Sequence, residues 1–95
     1  MLFAIQAFDK PGAAGLRDQL RPAHLEHMAR IADAIRIAGP QLSDDGATMI
    51  GSLIIADFTD RAALDAWLAD EPFVQGGLYA EVRIQRFRKV FPAAE

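Results

Sequence analysis

Cysteine is absent from this 95-residue sequence, which excludes disulfide frameworks, thiol catalysis and cysteine-ligated zinc. Histidine is scarce, with 2 copies, too few for an all-protein metal cage. No apolar run approaches the ~20 residues that cross a bilayer. A surplus of positive charge is also missing. The 10 Lys and Arg stand against 13 Asp and Glu, a formal net charge of -3, whereas a general nucleic-acid binder is basic. Neither nucleic acid nor membrane is therefore expected as a partner. What is present is ordinary for a globular chain, 52% hydrophobic and 24% charged residues, a balance that argues against disorder. The length allows a single domain, residues 1–95. The start Met1–Ile5 is apolar but lacks a basic stretch, and Gln6 and Asp9 interrupt it early. No signal peptide is expected, and the expected compartment is the cytoplasm.

Leu2 to Phe8 reads as a strand stopped by Asp9-Lys10-Pro11-Gly12. Both its parities are largely apolar, so both faces should be covered. Pro22 reads as the first residue of a long helix, where its missing N–H costs nothing. That helix is expected to run to about Ile37, with Leu25, Met28, Ala32 and Ile35 inward. Gly39-Pro40 stops it, and a short strand is expected up to Leu42. Ser43-Asp44-Asp45-Gly46 is a turn. Met49 to Phe58 is a second strand with two apolar faces. Asp60 is the expected N-cap of a helix over Arg61 to Ala69, which Pro72 ends. One more turn follows over Phe73 to Gly77. A last strand spans about Ala80 to Val90, with a bulge or change of partner near Arg86. The tail from Pro92 is expected to fray.

The order strand, helix, strand, strand, helix, strand is that of an α+β ferredoxin-like βαββαβ sandwich: a four-stranded antiparallel sheet with two helices on one face. The other face would be bare, and an apolar bare sheet is larger than an ordinary exposed patch. A second copy packed sheet against sheet, a homodimer, is the simplest cover.

This topology gathers polar groups at one end of the sheet. Asp9, Arg21, His24, Asp44, Asp45, Ser52, Asp70, Glu71, Phe73 and Tyr79 arrive there, while Asp57, Thr59 and Asp60 mark turns and caps at the other. His24 continues the inward stripe from what would be the first helical turn, where the helix dipole opposes protonation. A carboxylate such as Asp9 or Glu71 could fix its tautomer and leave a general base. The competing reading is a packed histidine with a single hydrogen bond. His27 falls on another face and is expected in solvent, so a His24–His27 metal pair is disfavoured. Arg21 could bind an anion or form a surface ion pair. Asp9 could orient His24 or cap its loop, and Asp70-Glu71 could be catalytic or a solvated helix end. Ser52 lacks a nucleophile-elbow pattern, so covalent serine chemistry is not expected. Arg83, Arg86, Arg88 and Lys89 read as a charged strand margin that discourages edge pairing. Gly12 and Gly15 make no phosphate loop.

Several of these segments together resemble the YciI-like (YCII-related) family. They are Met1-Leu2-Phe3 with Ala7-Phe8-Asp9-Lys10, Arg21-Pro22-Ala23-His24-Leu25, Ala38-Gly39-Pro40, Gly51-Ser52, Trp67 with Pro72-Phe73, and Phe87 to Phe91. The resemblance covers nearly the whole chain. It implies a dimeric α/β-barrel, similar in fold to muconolactone isomerases and small monooxygenases, with a His–Asp pair as the family's candidate site. The histidine maps onto His24, and Asp9 matches a family aspartate after the first strand. Before Pro72 the family usually carries aspartate; here Glu71 stands there, one methylene longer, with Asp70 beside it.

The expectation is a small cofactor-independent enzyme of the isomerase or lyase kind. It would act on a small anionic cyclic or aromatic molecule. His24 would move a proton, Asp9 or Glu71 would orient it, and Arg21, Ser52 and Phe73 would contact substrate. No metal or other cofactor enters this expectation. The alternative is a non-catalytic small-molecule-binding or regulatory dimer, or a dimer without any ligand.

Overall fold

A computed structural model describes residues 1–93; of the tail expected to fray, Ala94 and Glu95 lie outside the described residues. The elements are β1 (Leu2–Asp9), α1 (Ala14–Ala29), a 3-10 turn (Ala32–Ala34), β2 (Ile35–Leu42), β3 (Met49–Asp57), α2 (Arg61–Ala69), α3 (Pro72–Gln75) and β4 (Tyr79–Arg86). The strands form one antiparallel sheet in the order β2-β3-β1-β4. This is the ferredoxin-like sandwich.

Alternation along the strands divides the sheet into two faces. Phe3, Ile5, Ala7, Ile54 and Ala56 are buried on the helix face. With Leu64 and Trp67 of α2 they make the core, and Met28 of α1 packs against it. The opposite face carries Leu2, Ala4, Ile37, Leu53 and Ile55, and Ile37 stays 63% exposed. Near the start of β3 on that face, Gly51 has no side chain because a Cβ there would collide with the Ala7 carbonyl oxygen. The Gln41 amide fills the space, donating to the carbonyls of Ala7 (3.2 Å) and Ser52 (3.4 Å) and accepting from Gln6 (2.8 Å).

Two register slips lie at the same end of the sheet. Between β1 and β4 the register passes from Phe8↔Glu81 to Asp9↔Tyr79, leaving Ala80 as an extra residue. Between β2 and β3 it passes from Gln41↔Gly51 to Leu42↔Met49. A one-residue slip turns a side chain to the other face. Tyr79 shares parity with Glu81 and Arg83 of the open face, yet the slip delivers it to the helix face.

Three expectations are corrected. The first helix spans Ala14–Ala29, not 22–37, and Pro22 lies inside it. An interior proline forfeits a hydrogen bond and costs ~3 kcal/mol. Here Pro22 is exposed, as is Asp18, whose carbonyl loses its donor, so water can satisfy that carbonyl. Ile35 belongs to β2, because the 3-10 turn ends the helical run and Ile35 enters the sheet opposite Ala56; a further register slip between Ile35 and Ile37 sets Ile37 opposite Ile55 on the open face. The final strand stops at Arg86, so the parity break at Phe87 is the end of the strand and not a bulge within it. Asp60 does cap α2, its carboxylate accepting the Ala63 N–H at 2.9 Å.

Candidate active site

The stripe Arg17, Arg21, His24, Met28 follows helical spacing along α1 and lines one cavity of about 350 Å³. Across from it stand Pro40 of β2, Ser52 of β3 and Phe73 of α3. The cavity therefore sits between α1 and the sheet, at the end of the Asp9 and Leu42 register slips.

His24 lies well inside α1 rather than in its first turn, so the N-terminal dipole, which acts over about one turn, does not bear on it. Its Nδ1 is 2.6 Å from Glu71 Oε1. The imidazole is 12% exposed and the carboxylate 1%. Glu71 occupies the N-cap position of α3, and its backbone carbonyl accepts from Val74 and Gln75. Its backbone is therefore fixed by a helix start. Phe73 stacks on the imidazole at 3.9 Å between centroids and 12° between planes. An ionised Glu71 accepts only, which places the hydrogen on Nδ1 and the lone pair on Nε2. Nε2 has no partner among the described residues.

A second polar unit lies beside this pair. Arg17, 4% exposed, donates from Nε to Asp9 Oδ2 at 2.8 Å and from Nη2 to Asp9 Oδ1 at 3.2 Å. The same Nη2 donates to Ser52 Oγ at 2.7 Å. The Tyr79 hydroxyl donates to Ser52 Oγ at 2.8 Å. Burial pushes the Tyr79 phenol well above its ordinary value, and the Ser52 hydrogen bond opposes that shift only in part. Phe73 joins the two units, with the Arg17 guanidinium 4.7 Å from its centroid and Tyr79 edge-on at 5.8 Å.

The residues expected to form a site thus separate. His24, Glu71, Phe73, Ser52 and Arg21 meet at or behind the cavity. Arg21 is exposed there and has no ion pair or hydrogen bond among the described residues. Asp9 is committed to Arg17, and the carboxylate beside His24 is Glu71. Asp70 is an exposed C-cap of α2. Asp45 accepts from Ser43 and Ala47 within its own turn, and Asp44 is exposed beside it. His27 is not in solvent. It is 6% exposed, stacked on Trp67 at 4.7 Å, and its Nε2 lies 2.8 Å from the Trp67 carbonyl. The buried face of α1 is wide enough to take in His27, three residues from His24, against Trp67 of α2. No cluster of three or more His, Cys, Asp or Glu that could hold a metal occurs among the described residues, and no helix there is long and apolar enough to cross a membrane.

Arg17 was missed because it stood in a presumed loop. The spacing 17, 21, 24, 28 would have found it, had Pro22 been allowed inside the helix. Tyr79 was placed at this end but given no role, since its parity points away from the site and only the slip at Ala80 reverses it.

The profile of the YCII-related domain matches residues 1–88. The chain belongs to the YCII-related family. Protein YciI of Escherichia coli is 38% identical over 98 aligned positions, covering 96% of this chain and all of that protein. An uncharacterized protein of Haemophilus influenzae is 34% identical over the same extent. Among solved structures, the 5-chloro-2-hydroxyhydroquinone dehydrochlorinase TftG of Burkholderia phenoliruptrix, in complex with 2,5-dihydroxybenzoquinone, superposes with a TM-score of 0.86. It is 28% identical, over 93% of this chain and 94% of that one. SnoaB, a cofactor-independent oxygenase of Streptomyces nogalater, superposes with a TM-score of 0.61 at 16% identity, over 96% of each chain; it shares the fold. This YCII-related chain therefore has a fold that carries small enzymes.

Proposed function

We infer that the chain is a cofactor-independent enzyme of the isomerase or lyase kind, acting on a small anionic cyclic or aromatic molecule. The observation that carries this reading is the His24–Glu71 pair at 2.6 Å, with Nε2 unpartnered on a cavity. His24 Nε2 takes a proton from a carbon or hydroxyl of the ring, and the freed electron pair moves toward a ring oxygen. Returning the proton to another atom completes an isomerisation; expelling a leaving group completes an elimination. Glu71 holds the imidazole and stabilises the imidazolium. Arg21 receives the anionic group, and Ser52 binds an oxygen. Phe73 sets the plane of the imidazole. TftG, a dehydrochlorinase with the same fold, supports the lyase form of this reading.

A homodimer through the open sheet faces belongs to the same reading, because Leu2, Ile37, Leu53 and Ile55 would otherwise meet water. Sedimentation at micromolar concentration should return twice the chain mass; a stable monomer overturns it.

The enzyme test is chloride release from 5-chloro-2-hydroxyhydroquinone, with 2,5-dihydroxybenzoquinone binding followed by calorimetry, and then a panel of lactones and phenols. Turnover by wild type that disappears in His24→Ala supports the reading. Binding without turnover of any panel member supports a binding module instead, and turnover that survives His24→Ala removes His24 from the mechanism.

A further inference from the structure

The Ser52 hydroxyl has three neighbours in its hydrogen-bonding sphere: Arg17, Tyr79 and the cavity. Arg17 Nη2 at 2.7 Å can only donate. Tyr79 Oη at 2.8 Å could donate or accept, and two facts decide between these. Tyr79 does not line the cavity, whereas Ser52 does, and the Tyr79 hydroxyl has no second partner among the described residues. If Ser52 donated to Tyr79, the phenolic hydrogen, on a part-buried side chain, would have no acceptor among the described residues, at a cost of up to about 1–3 kcal/mol. If Tyr79 donates, its hydrogen is used, and the remaining one is that of Ser52. Burial holds the phenol protonated, so this donation persists through the neutral range.

We propose that Ser52 is a donor-only contact for substrate: Arg17 and Tyr79 occupy both lone pairs of its hydroxyl, direct Oγ–H into the cavity, and reserve that place for an oxygen that only accepts, a carbonyl, carboxylate or enolate oxygen. Arg17 and Tyr79 are positioning residues; they act through Ser52. The guanidinium and the phenol both withdraw electron density from the serine oxygen, which strengthens the bond it donates. This deepens the proposed function, on whose cavity it rests. His24 Nε2 accepts and Ser52 donates on the same cavity. The substrate class is therefore a molecule with an acidic C–H or O–H toward His24 and a carbonyl or carboxylate oxygen toward Ser52. Charge leaving the C–H or O–H bond arrives on the oxygen that Ser52 holds.

Neutron diffraction from deuterium-exchanged crystals of the whole chain tests the orientation without a ligand. Deuterium on Tyr79 Oη pointing at Ser52, with the Ser52 deuterium toward the cavity, supports the proposal. A Ser52 deuterium aimed at Tyr79 overturns it. The selectivity test is an amide NMR titration with sodium acetate as acceptor and guanidinium chloride as donor, at equal ionic strength. Acetate should shift the Ser52 amide, bind about tenfold more weakly in Ser52→Ala, and recover in Ser52→Thr. It should also weaken in Tyr79→Phe, by a smaller factor. Guanidinium should leave the amide unmoved. Equal responses to both ions, no acetate response in wild type, or an acetate response unchanged in Ser52→Ala each overturn the proposal. His24→Ala should keep the acetate response, since none of its atoms polarise Ser52. A chain that binds acetate at Ser52 yet turns over nothing would thus remove the catalytic reading and leave this one standing.

Discussion

His24 and His27 stand one turn apart on α1, and each lays its ring against an aromatic: Phe73 at 3.9 Å, Trp67 at 4.7 Å. Their remaining contacts differ. His27 spends Nε2 on the Trp67 carbonyl, an acceptor, so that nitrogen carries the hydrogen. His24 gives Nδ1 to a buried carboxylate and keeps Nε2 on a cavity. Stacking orients both rings equally well. What separates a histidine that can move protons from one that packs is the carboxylate behind it and the space ahead of it. The surroundings follow the same division. Around His27 lie Trp67, Phe58 and Phe3, held by edge and tilted ring contacts; around His24 lie a charge pair, two hydroxyls and a carboxylate.

Exchanging the two histidines in their effects is the strongest way to break this comparison. His24→Ala should lower turnover of the panel substrate by about 10²–10⁴-fold; it also strips the buried Glu71 carboxylate of its partner, so about 1–3 kcal/mol of stability goes with it. His27→Ala should lose a similar amount, about 1–3 kcal/mol, lowering Tm by roughly 5–20 °C, but keep turnover within a few-fold. Steady-state kinetics on both variants, with thermal unfolding as the control for folding, decides it; equal losses of turnover in the two would abolish the distinction. Next in size is Arg17→Ala. It leaves Asp9, 4% exposed, without its cation, and stripping one partner from a buried pair costs about 3–5 kcal/mol. Urea unfolding should show that loss, and Asp9→Leu with Arg17→Met should recover most of it. If Arg17→Ala is as stable as wild type, the pair contributes nothing to the polar end.

A smaller effect is expected at high pH. The folded protein holds Tyr79 protonated above the phenol's ordinary value of 10.0. The contribution of the neutral phenol is complete below that value and declines as pH rises past it, because the unfolded chain ionises first. Wild type should therefore lose more stability than Tyr79→Phe between about pH 8 and about pH 11; parallel losses in urea midpoints would place Tyr79 in water. Smallest is Trp67→Phe. Trp67 Nε1 is buried without a partner among the described residues, so removing it offsets part of the packing lost. The net change should stay within about 1 kcal/mol, and a loss several times larger would reveal a partner for that nitrogen.

The strands, the Asp60 cap and the collection of polar groups at one end follow from alternation, turn chemistry and topology, which act over a few residues. The start of α1 could not be read in the same way. Ala13 at its N-cap makes no side-chain hydrogen bond, so no capping signal marks Ala14, while Pro22 offers a strong but misleading one. That single misplacement hid Arg17 and moved His24 into a dipole that does not reach it, whereas the burial of His27 depends on its contact with Trp67 of α2. His24 still faced inward because its spacing to Met28 does not depend on where the helix begins. The pairing of His24 with Glu71 rather than Asp9 needed the geometry of the α3 start, which no spacing along the chain encodes.

Gly51 carries a consequence for how relatives of this chain are to be read. Its backbone is ordinary and its confinement is steric: the Ala7 carbonyl stands where a Cβ would be, and Gln41 has moved into the vacancy. The neighbouring Ser52 has its side chain on the other face, among Arg17 and Tyr79. The Gly-Ser dipeptide is thus two constraints written side by side, one on how closely the strands approach and one on what the cavity offers a ligand. The two can be inherited separately. A relative that keeps the glycine but replaces the serine, or its Arg17 and Tyr79 equivalents, would retain the sheet and present a different cavity, so descent of the fold alone is no warrant for transferring chemistry.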